Sequence, residues 1–147
     1  MGFKARENYA RARDREGLRQ EMQRYSENNV YAIQQCIDHT CACGASLFLL
    51  AVDDSEGVAE TACIACKALK PVADSGEFAE DASLEQCECV CGGDVFEVTV
   101  GVALYAESDD VRWIYVGARC VKCDIAGVYC DWKCDGGNYR TMLGGGN

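Results

Sequence analysis

The chain has 147 residues, a formal net charge of −10 and twelve cysteines. Its length suits either one ordinary domain or two small units that each need extra stabilisation. The acidic charge argues against nucleic-acid binding, because such a surface repels phosphates. No segment approaches the ~18 consecutive apolar residues of a membrane-spanning helix. These features favour a globular protein whose partner is another protein.

The composition of the N-terminal segment bears on whether the cysteines are in a reducing or an oxidising compartment. Residues 1–24 interleave basic and acidic side chains and contain no apolar core of a secretory signal. We therefore expect a cytoplasmic protein. In a reducing cytosol, cysteines bind metal more often than they form disulfides.

The first predicted element is one long helix, roughly Glu7 to Ile37. Apolar residues recur there at spacings that place them on a single helical face: Leu18, Met22, Tyr25, Ile33 and Ile37. The first half of this segment is nearly all charged or small, so it is either solvated or available to a partner. We expect the apolar stripe to pack on the first of the two cysteine-containing modules that follow.

A repeated cysteine pattern begins after this helix. Cys41-x-Cys43-Gly44 is followed by a predicted strand (46–52), a polar turn (53–57), a return strand (58–62) and then Cys63-x-x-Cys66. Two close thiol pairs separated by the length of a β-hairpin are what a tetrahedral Cys₄ zinc site needs. The glycine suits a turn whose backbone takes a positive φ.

The second copy of the pattern follows an acidic linker predicted over Asp74 to Glu85. It consists of Cys89-x-Cys91-Gly92 and Cys120-x-x-Cys123. Period-two alternation over 95–105 predicts a longer strand, with return strands over 111–118 and 125–132. Aligning the two copies by their first cysteine pairs sets Cys87 over His39. The sequence therefore indicates duplication of one module.

These patterns predict an α+β fold, with a long N-terminal helix followed by two tandem antiparallel-β zinc ribbons. The predicted divisions are a helix at 1–38, ribbons at 39–80 and 81–135, and a frayed tail at 136–147. Each ribbon is too short for a self-sufficient core, so two zinc ions are expected to supply folding free energy. The predicted ligands are Cys41, Cys43, Cys63, Cys66, Cys89, Cys91, Cys120 and Cys123.

Five other residues have metal-binding or redox chemistry: Cys36, His39, Cys87, Cys130 and Cys134. The spacings Cys36-x₂-His39 and Cys130-x₃-Cys134 would suit a third metal site. A thiol close to zinc-bound sulfur, as at Cys87, would suit a redox switch. The simplest interpretation is that these cysteines pack as small buried apolar side chains.

Catalysis has little support in the sequence. With a single histidine, the chain cannot form a Ser-His-Asp triad or a histidine-rich zinc site. Four thiolates close a zinc site, whereas a catalytic zinc keeps one position open. No phosphate-binding or dinucleotide-binding fingerprint is present. We therefore predict that the protein is not an enzyme.

The charge distribution points to a protein partner, and a basic, toxin-like protein is the partner that we expect. An acidic body carrying aromatics such as Trp113, Tyr115 and Tyr129 suits a basic protein surface. An acidic immunity or inhibitor protein, or an adaptor, fits this description. The alternative is a zinc ribbon that binds nucleic acid or RNA polymerase, for which Arg112, Arg119, Lys122 and Lys133 would form a basic patch.

Two resemblances accompany these patterns. The repeated Cys-x-Cys-Gly…Cys-x-x-Cys motif, with DVFEVTVGVALY, VRWIYVGARCVKC and GVYCDWK in the second copy, resembles small bacterial proteins with tandem Cys₄ ribbons. That resemblance implies a fold and no particular activity. The Asp53-Asp54 and Asp109-Asp110 turns resemble the acidic hairpin tip of transcript-cleavage factors, although that family lacks the Cys-x-Cys-Gly pairs. Acidic pairs are also common in ordinary turns.

Overall fold

The computed structural model describes residues 10–73, 83–134 and 136–144. The strands are β1 (Ala10–Arg11), β2 (Gln35–Asp38), β3 (Phe48–Asp53), β4 (Val58–Cys63), β5 (Leu69–Pro71), β6 (Glu85–Gln86), β7 (Phe96–Leu104), β8 (Val111–Cys120) and β9 (Ile125–Lys133). The helices are α1 (Arg15–Glu27) and α2 (Tyr139–Gly144). The predicted helix start at Glu7 and most of the predicted linker, 74–82, lie outside the described residues.

The predicted fold class, α+β with one long N-terminal helix before two tandem ribbons, is wrong. The described chain is mainly a nine-stranded antiparallel sheet, and neither of its helices is long. Within the described residues, no helix has the length and apolar character needed to cross a bilayer. The short α2 lies in the segment for which we expected a frayed tail.

Helix α1 has clear local ends. Asp14 caps its N-terminus, since its carboxylate accepts from the Gly17 amide at 2.9 Å. Beyond Glu27, Val30 takes a left-handed φ of 77°, which a helix does not accommodate. The chain then enters β2 and pairs with β7. The apolar spacing predicts one helix because Ile33 and Ile37 keep a helical period, but the helix ends at Glu27 and Ile37 pairs with Val100 in the sheet.

The sheet contains two similar meanders. Strands β3, β4 and β5 form the first, and β7, β8 and β9 form the second. They meet at one residue pair, in which Phe48 of β3 lies opposite Phe96 of β7. These two phenylalanines are equivalent in the repeat, because both follow the first cysteine pair of their copy by the same spacing.

Each copy also lends a strand to the other. Strand β2 precedes the first meander and pairs with β7, whereas β6 precedes the second and pairs with β3. The registers correspond under the 48-residue offset that separates Cys43 from Cys91. The His39 amide donates to the Val98 carbonyl at 2.8 Å, and the equivalent Cys87 amide donates to Leu50 at 2.7 Å. The two copies are therefore related by a local two-fold axis near the Phe48–Phe96 pair.

One face of the second meander carries α1, so the expectation that the helix packs on the first module is wrong. Leu18 and Met22 of the helix pack with Tyr115, Ala126 and Val128. Two glycines make room for this layer. A Cβ at Gly117 would lie 2.3 Å from Met22 Sδ, and one at Gly101 would lie 2.7 Å from Ile33 Cδ1. The close approach therefore requires glycine at both positions.

The opposite face belongs to the main core, which both copies share. Phe48, Leu50 and Val52 of the first copy lie in the same buried cluster as Phe96, Ile114 and Tyr129 of the second. The tip of the first hairpin reaches β9, where a Cβ at Gly57 would lie 2.8 Å from Trp132. The first copy thus folds over the inner face of the second.

The charged side chains of α1 pair with the sheet. The Arg15 guanidinium donates to the carbonyls of Val98 (3.0 Å) and Ser46 (3.2 Å), which belong to different copies. Arg19 donates to both carboxylate oxygens of Asp38, at 2.8 and 2.7 Å. These bonds attach the helix near the junction of the two copies, where the sequence suggested a solvated or partner-binding segment.

Candidate metal centres

The first tetrad, called centre 1, consists of Cys41, Cys43, Cys63 and Cys66. The Cys41 and Cys66 sulfurs are 3.5 Å apart, and those of Cys43 and Cys63 are 3.7 Å apart. All four sulfurs lie within 4.8 Å of one another. Cys63 ends β4, and the other three lie in the turns on either side of the first hairpin.

The second tetrad, called centre 2, consists of Cys89, Cys91, Cys120 and Cys123. The Cys89–Cys123 and Cys91–Cys120 sulfur distances are 3.4 and 3.6 Å. A disulfide would need about 2.05 Å, and all twelve cysteines are free thiols. Each tetrad could hold a metal ion. The structure thus brings together all eight cysteines that the sequence predicted as ligands, in the predicted sets.

The two centres have the same backbone. Gly44 and Gly92 both take a φ of 93°, so the glycine predicted at this turn is needed. Lys67 and Asp124 both take a φ of 68°, a left-handed conformation that costs a non-glycine residue about 1 kcal/mol. The Lys67 amide donates to the Cys63 carbonyl and the Asp124 amide to the Cys120 carbonyl, both at 2.9 Å. In each centre, these equivalent turns hold the cysteine sulfurs on the same side of the hairpin.

Backbone amides also favour one thiolate in each centre. The amide of Cys66 donates towards Cys63 and lowers the pKa of that thiol to about 6. In centre 2, the Gly93 amide lies 3.4 Å from the Cys91 sulfur and lowers the pKa of that thiol to about 7. Metals bind the deprotonated form of cysteine, so these amide donors support ligation near neutral pH.

The centres lie on the same face of the sheet, on either side of the Phe48–Phe96 pair. Phe48 is opposite Cys63, and Phe96 is opposite Cys120. Residues directly opposite in antiparallel strands point to the same face. The four side chains therefore form one row, in which three strand spacings separate the outer cysteines by on the order of 15 Å. Both centres adjoin the shared core.

The other candidate ligands do not assemble a third centre. Among the described residues, only the two tetrads group three or more possible ligands at metal-binding distance. Cys36 is exposed on β2, while Cys87, Cys130 and Cys134 are buried. The burial of the Cys87 thiol raises its pKa to about 12, which opposes the thiolate that redox chemistry needs.

His39 is a core residue. Its ring packs edge-on against Phe48 at 4.7 Å, and its Nε2 lies 2.8 Å from the Thr61 hydroxyl. Burial lowers the pKa of His39 to about 4, so the imidazole is neutral at physiological pH. In the second copy the equivalent positions are Cys87 and Ala118, which replace this polar pair by two small side chains.

The three aromatic residues predicted to contact a protein partner are divided between the core and the surface. Tyr115 and Tyr129 are buried, whereas Trp113 is half-buried and stacks on Tyr31 with ring centroids 5.0 Å apart. The Arg112 guanidinium also lies over the Tyr31 ring, 4.4 Å from its centroid. Of the three aromatics proposed as a partner surface, only Trp113 is partly open to solvent.

The acidic turns also differ from one another. Asp53 is buried and organises its turn, because its carboxylate accepts from the amides of Ser55, Glu56 and Ser83. These donors lower the pKa of Asp53. Asp54, Asp109 and Asp110 are exposed. The surface charge that a partner would meet therefore excludes Asp53.

Comparison with protein-family models, with curated proteins and with solved structures finds no match.

Proposed function

We propose that the protein is a non-enzymatic, zinc-stabilised module that binds a basic protein partner in the cytoplasm. The observation that carries the proposal is the pair of closed Cys₄ tetrads beside the shared core. An acidic inhibitor or immunity protein, or an adaptor, is the class that fits.

The sulfur geometry supports zinc. A regular tetrahedron with Zn–S bonds of about 2.3 Å has sulfur–sulfur edges of about 3.8 Å. The short distances in the two centres are 3.4–3.7 Å. Thiolates are soft ligands that select zinc, copper(I) or iron–sulfur clusters over calcium and magnesium. In a structural zinc site, all four positions are taken by protein ligands, so a metal-activated water has no place.

Charge supports a basic partner. The chain carries a formal charge of −10, and four thiolates around each Zn²⁺ would bring the total to about −14. Electrostatic complementarity of this kind accelerates association with an oppositely charged surface and disfavours phosphate-rich partners. The exposed carboxylates of Asp54, Asp109 and Asp110 lie at the hairpin ends of the two copies.

The test is reversal of Asp54 and Asp110 to lysine in one variant. Asp53 is left intact because it holds its turn, and Asp109 is left intact because its carboxylate pairs with Arg140 at 2.9 Å. Zinc content should stay at two ions per chain, while association with a captured partner should slow and lose much of its salt dependence. The matched control reverses Glu16 and Glu27, which are exposed on α1.

Two results would contradict the proposal. One is equal slowing by both variants, which would show a general charge effect. The other is a gel shift of nucleic acid at low salt, which would favour the nucleic-acid alternative.

A further inference from the structure

Helix α1 covers only one of two equivalent sheet faces. It packs on β7, β8 and β9, while α2 contacts β2 and β7. On the second meander, Leu18 and Met22 of α1 pack with Ala126 and Val128 on the outer face, which is the face opposite the shared core. Within the described residues, neither helix packs on β3, β4 or β5. The outer face of the first meander therefore lacks the layer that its counterpart carries.

The repeat identifies the side chains of this uncovered face. They alternate with the core residues of their strands and are Leu49, Ala51, Glu60, Ala62, Leu69 and Pro71. Through the 48-residue offset, and the 57-residue offset between Cys63 and Cys120, they correspond in the same order to Glu97, Thr99, Gly117, Arg119, Ala126 and Val128. All but Glu60 are apolar. The face without a helix is thus the more apolar of the two.

The charged groups that hold α1 have no counterparts on the first meander. Arg15 of the helix lies 3.7 Å from Glu97, and Arg19 pairs with Asp38. The positions equivalent to Glu97 and Asp38 hold Leu49 and Gln86. Leu69, at the position where Ala126 meets the helix, is 65% exposed. A contiguous apolar face of this kind is typical of a protein-interaction site.

Glu60 supplies the one charge of the outer face. It corresponds to Gly117, the glycine that admits Met22 of α1. Glu60 is partly buried and forms no ion pair within the described chain. A carboxylate partly withdrawn from water on an apolar face is stabilised by a basic group. At the point where α1 places a methionine, a helix on the first meander would therefore place a lysine or an arginine.

The free edge of β5 adds backbone groups to the same surface. In the second copy β1 pairs with β9, and the Ala12 amide donates to the Asp124 carbonyl at 2.7 Å. The equivalent Lys67 has the same φ of 68°, and no described residue donates to its carbonyl. An extended segment can add to this edge as β1 does before α1. Pro71 has no amide, so such pairing ends near Leu69.

We propose that the outer face of the first meander is the docking surface for an amphipathic helix of the basic protein partner, in the place that α1 occupies on the second meander. Apolar side chains of that helix cover Leu49, Ala62 and Leu69, and a basic side chain on the same helical face pairs with Glu60. The inference rests on the proposed protein partner and names the surface that this partner uses.

The test measures binding of dye-labelled peptides to the zinc-loaded full chain by fluorescence anisotropy. Each peptide has about 18 residues, or about five helical turns. The first carries leucines along one helical face and lysines elsewhere, and the second replaces its lysines by glutamates. The third has the composition of the first in an order that gives no apolar face. Only the first peptide should bind saturably at physiological salt, because it alone offers both an apolar face and basic side chains.

Variants locate the binding surface. Leu69→Asp and Glu60→Lys should each weaken binding of the first peptide about tenfold or more. The matched controls are Val30→Asp, at an apolar residue that is 85% exposed after α1, and Glu16→Lys on α1 itself. These controls make the same changes of charge and should leave the affinity unchanged. All four variants should keep two zinc ions and the unfolding midpoint of the wild type.

Three results would overturn the inference. They are binding of the scrambled peptide as tightly as the amphipathic one, unchanged binding in Leu69→Asp, and equal weakening by the controls. A dimer in sedimentation that Leu69→Asp dissociates would also overturn it, because a second copy would then cover the face. None of these results bears on the basic partner itself, which the reversal of Asp54 and Asp110 tests separately.

Discussion

Replacing Cys63 by serine is expected to unfold the whole chain and not only its own copy. Cys63 is a candidate ligand of centre 1, and it lies in the core cluster that both copies share. A structural zinc site contributes on the order of 10 kcal/mol, which is comparable to the total stability of a small domain. The variant should lose cooperative thermal unfolding by circular dichroism, and metal analysis should return fewer than two zinc ions.

Two other cysteines serve as controls for this expectation. Cys36 is exposed and outside both tetrads, so Cys36→Ser should keep two zinc ions and an unchanged unfolding midpoint. Cys134 is buried, so Cys134→Ser should lower the midpoint and still keep both ions. A Cys63→Ser protein that melts cooperatively with two ions bound would show that centre 1 does not hold the fold together.

Truncating either phenylalanine at the junction is expected to have the second largest effect. Phe48 and Phe96 are 2% and 0% exposed, and each lies opposite a candidate ligand. Removing a buried phenylalanine side chain costs about 3–5 kcal/mol, because apolar burial is lost and a cavity remains. Phe48→Ala and Phe96→Ala should therefore each lower the free energy of unfolding by this amount, measured by denaturant unfolding of the zinc-loaded protein.

The matched control for this experiment is Leu69→Ala. Leu69 is an apolar residue in β5 that is 65% exposed, so its truncation should change the free energy of unfolding by no more than about 0.5 kcal/mol. If Phe48→Ala proved as mild as Leu69→Ala, the junction would contribute little, and each copy would be stabilised mainly by its own contacts.

The hairpin strands and the cysteine groupings could be predicted because their signals are local. Alternation over 95–105 predicted β7, observed at Phe96–Leu104, and the run at 46–52 predicted β3, observed at Phe48–Asp53. The pairing of Cys-x-Cys with Cys-x-x-Cys across one hairpin placed each sulfur set correctly. In these cases a turn or a strand decides the geometry within a few residues.

The exchange of β2 and β6 could not be predicted in the same way, because it depends on distant pairing. Ile33 and Ile37 keep a helical apolar spacing, and pairing with β7 makes residues Gln35–Asp38 a strand. The β-bulge at Tyr129, which lies between the Val116–Cys130 and Gly117–Val128 pairs, could not be predicted either. In the sequence, Tyr129 is one more residue of an apolar strand. The sequence does contain a partial signal of the exchange, because aligning the two copies sets Cys87 over His39. The amides of these two residues bond to β3 and β7, just after the exchanged strands β6 and β2 end.

The exchanged strands give this single chain the interface of a symmetric dimer. In an isologous contact, residue i of one subunit meets residue j of the other, and residue j meets residue i. Asp38 opposite Thr99 and Gln86 opposite Ala51 obey that rule under the 48-residue offset, and Phe48 meets its own counterpart. Two identical subunits meeting about a two-fold axis would form the same set of contacts. Within a single chain the two halves need not be identical, and the His39–Thr61 pair and its Cys87–Ala118 counterpart show where they differ.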